Sequence, residues 1–298
     1  MSKKSKDAAS LGEVTAGAFS SKRNKGSEAG LVRLASPHPS VRYIIDVLER
    51  LRARTYTTNA IIAGEPGCGK EGLAHTLHEL MHPDGGPLVT VSTSGRPEAV
   101  VSDELFGAGP THKGDRSTEG AVAEADGGTL VLDEVIGLPP QLQRRLLELV
   151  KSGRYTRDGE LRERRTQLNI IVITDGNIAA EVAAGRFRHD LYHKLARLDF
   201  VLPPLRERPE DVPAAARWMA NRVRAQRGLP ANIVLEGETG ATGTVVIKQD
   251  AIDLLRVQRW PGNFRELEIV VERALFLYSD GKQVVAHDIS RALADPRG

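Results

Sequence analysis

The segment "GEPGCGKE", Gly64 to Glu71, carries the residue types that hold a phosphate chain. Glycines let a backbone wrap closely round an anion, so that peptide N–H groups and a helix N-terminus meet phosphate oxygens. A lysine closing the run then reaches the β and γ oxygens. The spacing fits G-x-x-x-x-G-K, with Lys70 as the lysine and Gly64, Glu65, Pro66, Gly67, Cys68 and Gly69 as the wrap. Glu71 stands where a Ser or Thr is usual. Cys68 reads as a small loop residue, since no histidine partner is nearby. A second segment, "TLVLDEV", ends a buried apolar run in two adjacent acids. Asp133 is placed to hold Mg2+, directly or through water, and Glu134 to polarise an attacking water. A glycine turn with an incidental lysine, and two acids capping the next helix, are the plain alternatives. Both segments in one chain favour nucleotide chemistry.

These residues need strands to present them. "NAIIAG", "PLVTVST", "GTLVLDEV", "LNIIVITD" and "LDFVLPPL" read as short buried strands. Helical spacing returns in "PSVRYIIDVLERLRART", "EGLAHTLHELMH" and "PPQLQRRLLELVKSG", the last with prolines at its start and Gly153 past its end. Strands alternating with helices predict an α/β fold, a parallel sheet with crossover helices on both faces. Ligands then bind at the C-terminal edge of the sheet. After Pro203-Pro204 the pattern turns helical, interrupted by "IVLEGETGATGTVVI", which predicts a β-hairpin near 233–247. The expected organisation is a disordered basic tail over 1–30, an α/β domain over 31–205 and a small helical domain over 206–298.

Composition sets outer bounds. The 298 residues have a net charge of +2, so no global field points to nucleic acid or a membrane surface. The single cysteine excludes an internal disulfide framework. No run reaches the roughly eighteen apolar residues that span a bilayer, and a cytoplasmic location is expected. The tail lysines and arginines, Lys3 to Lys25, allow at most salt-sensitive, sequence-independent contact with nucleic acid.

With these segments in order, and with "DELFG", "LQRRLLELVKSGRYTRDG", "GRFRHDLYHKL", "LPPLRERPEDV" and "WPGNFREL" beside them, the chain resembles the AAA+ ATPase module of sigma-54-dependent transcription activators from about residue 31 to 290. The resemblance implies a P-loop AAA+ three-layer α/β/α sandwich with a helical lid, and ATP and Mg2+ as ligands. In that family a Glu follows the Walker lysine, so Glu71 becomes support. Lys70 matches the Walker A lysine, Asp133 and Glu134 the Walker B pair, and Thr174 the sensor I threonine, followed here by Asp175 instead of Asn or His. Arg188 matches the first arginine finger, Lys194 a second basic position usually held by Arg, and Arg265 the sensor II arginine. A finger acts on a neighbouring subunit, which implies a ring, typically a hexamer. Arg206 and Arg208 have Glu207, Glu210 and Asp211 at hand for ion pairs.

The chain also departs from the family. A loop with the sequence GAFTGA, whose Phe and Thr engage sigma-54, normally follows "ELFG". Here "AGPTHKGDRSTEG" has no aromatic and offers His112, Lys113, Asp115 and Arg116. An aromatic anchor supplies much of a small interface's energy, so a protein partner other than sigma-54 polymerase is expected at 108–119. Ser92-Thr93 replaces the family's Asn-Cys, whose Asn couples the catalytic Glu to nucleotide state. No helix-turn-helix follows "ISRALADPRG", and sequence-specific DNA binding is not expected. These features leave open an oligomeric ATPase that remodels or regulates a protein, a nucleotide-gated assembly module with little turnover, and a sigma-54 activator with an atypical loop.

Overall fold

The fold, taken from a computed structural model, is described over residues 36–52, 58–110, 117–240 and 243–295. The tail expected over 1–30 and loop residues His112, Lys113, Asp115 and Arg116 lie outside the described residues. Two compact bodies make up the chain. Of the described residues, those within Tyr43–Gly64 and Lys70–Leu202 form one, and Glu65–Gly69 with those from Pro203 onward and those before Tyr43 form the other.

The first body is the expected parallel α/β sandwich. Helix α1 (Pro39–Arg52) leads into strand β1 (Ala60–Ala63), helix α2 (Lys70–Met81), β2 (Leu88–Ser92) and α3 (Glu98–Phe106). A short hairpin of β3 (Gly107–Ala108) and β4 (Thr118–Glu119) precedes α4 (Ala121–Glu124) and β5 (Thr129–Asp133). Next come α5 (Pro140–Ser152), a second hairpin of β6 (Arg154–Tyr155) and β7 (Arg164–Arg165), β8 (Asn169–Thr174), α6 (Ile178–Ala183), α7 (His189–Leu195) and β9 (Leu198–Val201). The five main strands run parallel in the order β2-β5-β8-β1-β9. Helices cover a parallel sheet on both faces, so its strands bury successive residues rather than alternate ones. Leu130, Val131 and Leu132 are all buried, as are Ile170 through Thr174. Gly153 ends α5 in the left-handed region at φ 66°, where its N–H caps the Leu149 carbonyl at 2.8 Å.

One buried titratable group ties this core to pH. The His78 ring on α2 lies 2.9 Å from the Thr129 hydroxyl on β5. Burial, with His82 and His75 adding repulsion, lowers its pKa to about 4 from an ordinary 6.5. The unfolded chain takes up this proton first on acidification, so the stabilisation is complete above pH 6.5 and lost as pH falls toward 4. Between about pH 7.5 and about pH 5 the loss is about 2 kcal/mol. Urea midpoints of His78→Gln are expected to show that fall removed; the same fall in both proteins would refute it. Asp211, raised to about 6 by burial, acts in the opposite sense and is common to both proteins, so the difference isolates the ring.

The second body packs α8 (Val212–Gln226), β10 (Ile233–Leu235), β11 (Val245–Ile247), α9 (Gln249–Arg256), α10 (Asn263–Arg273), β12 (Gln283–Val284) and α11 (Ala286–Ala294) around a core that includes Trp260, Leu255, Leu267 and Ala216. The hairpin expected near 233–247 is not formed. β10 and β11 pair in parallel, Ile233 opposite Val245, and β12 joins the far side of β11. The described part of the connection carries positive-φ glycines at Gly237 and Gly243, and β11 runs in the same direction as β10. Ile233, Val245 and Ile247 are thereby all buried in the helical core. Among the described residues, no helix is long and apolar enough to cross a membrane.

Candidate functional site

The first body gathers its reactive side chains at one sheet edge. Register places Ala63 beside Thr174 and Asp133 beside Ile173, so β1, β5 and β8 end together at their C-terminal side. Lys70 opens α2 with its side chain buried. Its ammonium donates to the Gly64 carbonyl at 2.7 Å and forms an ion pair with Asp175.

Asp133 ends β5, and Glu134 follows in the left-handed region at φ 60°. That conformation is sparsely populated for a residue with a side chain and clusters at functional sites. Several bonds fix it. The Glu134 N–H donates to the Ile173 carbonyl at 2.9 Å, and its Oε1 accepts from the Asp175 N–H at 2.8 Å. The Thr93 hydroxyl lies 2.8 Å from the Glu134 carbonyl and 3.1 Å from that of Asp133. Thr93, read from sequence as a departure, is thus the side chain that holds the acid pair's backbone.

Burial, then the charges of Glu71 and Asp175, push the Asp133 carboxyl above its ordinary range. Burial also raises Glu134, with Asp175 and Asp133 adding repulsion. Crowded carboxylates of this kind are the hard oxygen donors that Mg2+ takes. Asp133 would hold the ion, which when bound neutralises phosphate charge. Thr174 is buried, with its hydroxyl accepting the Gly176 N–H at 3.0 Å, so Asp175 rather than Thr174 reaches the lysine.

Arg188 and Lys194 lie exposed at α7. The Arg188 guanidinium forks onto Asp190 at 3.0 and 2.8 Å, and its backbone N–H donates to the Gln143 side-chain oxygen at 2.9 Å. Gln143, fully buried on α5, also donates to the Leu138 and Arg186 carbonyls at 2.8 and 3.0 Å. Sequence reasoning gave Gln143 no part; burial of a polar side chain inside the apolar stripe of α5 was the available signal.

In the second body, residues 65–69 are gripped by their carbonyls. Asn263 Nδ2 donates to the Pro66 carbonyl at 3.0 Å, the Phe264 N–H to Gly67 at 2.9 Å, and Arg208 to Cys68 at 2.7 Å. No peptide bond is cis, and a trans peptide carries its N–H opposite its C=O. The N–H groups of Gly67 and Gly69 therefore point away from those partners, the polarity an anion cradle requires. A Cβ on Gly67 (φ 74°) would lie 2.4 Å from the Gly262 carbonyl and 3.1 Å from the Arg265 Cβ, so only glycine fits. Arg265 itself is exposed on α10.

The ion pairs offered by sequence proximity are redistributed. Arg206 forks onto Glu65 at 2.8 and 2.7 Å instead of the acids beside it, and together with Asn263 holds the Glu65 carboxyl below its ordinary range. Arg208 is buried, 3.8 Å from Asp211. Asn263 is the residue this reading missed. It is fully buried at φ 51°, and its Oδ1 also accepts the Leu205 N–H at 2.7 Å. Asn263→Ala strands these buried groups and is expected to lower stability by about 2–4 kcal/mol, read from urea unfolding. A loss under about 0.5 kcal/mol would show the bonds to be dispensable.

Residues 34–200 match the model of the sigma-54 interaction domain, and residues 206–297 that of the AAA+ ATPase lid domain. The chain belongs to the sigma-54 interaction AAA+ family. Within it, the chain is 38% identical over 261 residues to the DNA-binding transcriptional regulator NtrC of Azospirillum brasilense, covering 86% of this chain and 50% of NtrC. It is 36% identical over 302 residues to the response regulator PilR of Pseudomonas aeruginosa, covering 98% of this chain and 62% of PilR. NtrX from Brucella abortus, solved in complex with ATP, superposes with a TM-score of 0.70 at 28% identity, covering 85% of this chain and 53% of NtrX. The chain therefore spans about half the length of the curated relatives it matches. AAA+ domains of this family are ATPases with Mg2+ as the usual cofactor, and the parallel sheet with its helical lid is their fold.

Proposed function

We propose that the chain binds and hydrolyses ATP with Mg2+ as an oligomeric sigma-54-interaction module, and uses turnover to act on a protein partner. One observation carries this reading: Lys70, Asp133 and Glu134 converge at the C-terminal edge of one parallel sheet. Residues 31–205 would serve as the ATPase domain and 206–298 as its lid. Glu134 is the base toward water, Asp133 the Mg2+ ligand, and Arg265 and the 64–69 loop contact nucleotide. Arg188, with Lys194 near it, is supplied to the neighbouring subunit.

The family match favours sigma-54 RNA polymerase as the first partner to test, ahead of the sequence expectation. The structure bears on this at the loop stem. β3 and β4 pair Gly107 with Glu119, and the Ala108 N–H donates to the Thr118 hydroxyl at 3.1 Å. Behind this stem, Arg145 binds Ser102 and Asp158 at 2.6 Å each, and Asp158 bonds the backbones of Gly107 and Gly109 at 2.9 and 2.8 Å. The loop ends thus stand on a braced base, as a loop that transmits force must. Phosphate release measured against protein concentration is expected to rise faster than linearly; strict proportionality would refute the oligomeric part. ATP-dependent open-complex formation with sigma-54 polymerase tests the partner, and its absence alongside robust turnover returns the reading to a different protein target.

A further inference from the structure

Asp175 has no task in the function above, yet it touches both halves of the chemistry. Its carboxylate pairs with the Lys70 ammonium, and its backbone N–H donates to Glu134 Oε1 at 2.8 Å. The two partners differ in freedom. Lys70 is 7% exposed and anchored to the Gly64 carbonyl at 2.7 Å, whereas Asp175 is 41% exposed. The lysine therefore stays in place, and the carboxylate is the member that can leave and hydrate. Phosphate oxygens must approach the same ammonium, and a carboxylate beside them adds like-charge repulsion. The two anions compete for one cation.

We propose that Asp175 is a positioning residue, a latch on Lys70 that the phosphate chain of ATP must displace, so that it weakens ATP affinity without taking part in the chemical step. This rests on the ATPase reading of the site. The neighbouring turn supports a local swing: the Gly176 N–H is held by the Thr174 hydroxyl at 3.0 Å, which fixes the turn's backbone while the Asp175 side chain moves. Because the backbone N–H at position 175 serves Glu134, replacing only the carboxylate leaves the acid's support in place.

Asp175→Asn in the full chain separates the possibilities. With a fluorescent ATP analogue, Kd is expected to fall about fivefold to tenfold, the worth of one partly exposed ion pair. KM for ATP should fall by the same factor; a purely structural role would not tighten KM. Asp175→Ala should tighten binding likewise, which assigns the effect to the lost charge. Unchanged or weaker Kd in either folded variant, checked by its thermal midpoint, overturns the latch alone. If neither the wild type nor the variants bind ATP, the ATPase reading falls with it.

Discussion

Replacing Glu134 with glutamine is expected to lower ATP turnover by about 10²- to 10⁴-fold while ATP binding persists. Glutamine matches the shape of glutamate and keeps an oxygen to accept the Asp175 N–H, which now lies 2.8 Å from Glu134 Oε1. It cannot take a proton from water. The strained backbone at φ 60° is held by Ile173 and Thr93 through main-chain groups, so the exchange should leave it undisturbed. Removing one charge also relieves the crowding that raises Asp133 and Glu134 together. Affinity for the anionic nucleotide should therefore hold or improve. Binding by titration and phosphate release by a coupled assay give the two numbers. Turnover within tenfold of wild type would remove Glu134 from the role of base.

Arg188→Ala is expected to cost about a thousandfold in turnover, the scale on which a trans-acting arginine stabilises phosphoryl transfer. The side chain is exposed and meets Asp190 within its own chain, a contact of small value to stability. The variant should thus fold normally and bind ATP as a single subunit. Its particular signature is complementation. A neighbour that lacks the arginine still carries an intact Glu134, and a Glu134→Gln subunit still carries its arginine. Mixing the two inactive variants is expected to restore a fraction of wild-type turnover. A mixture as inactive as its components would mean that position 188 does not serve an adjacent subunit.

The apolar runs of β1, β5 and β8 were legible because a parallel sheet buries consecutive residues, and the chemistry at their ends stands in adjacent positions. Gly153 marked the end of α5 for an equally local reason. Contacts between distant residues left no periodic trace. Asn263 meets Pro66, Arg206 meets Glu65, and Arg208 meets Cys68 across 197, 141 and 140 positions of sequence. For the arginines, nearby acids offered simpler partners, and only the folded chain shows which were taken. β10 and β11 pair in parallel where a hairpin is expected, because turn residues mark that a chain bends and leave open which way the next strand runs. Asp175 was noticed as an unusual residue, but its pairing with Lys70 depends on β1 and β8 lying side by side.

Gln143 has a consequence for cooperative behaviour. The stretch leaving Glu134 runs through Leu138, whose carbonyl this glutamine holds, while its oxygen holds the amide of Arg188. If Arg188 serves a neighbouring subunit as proposed, a shift in the stretch after Glu134 would reach it through this single buried amide. In a closed assembly this would make firing sequential, with a sigmoidal dependence of rate on ATP that Gln143→Leu should flatten toward a simple hyperbola.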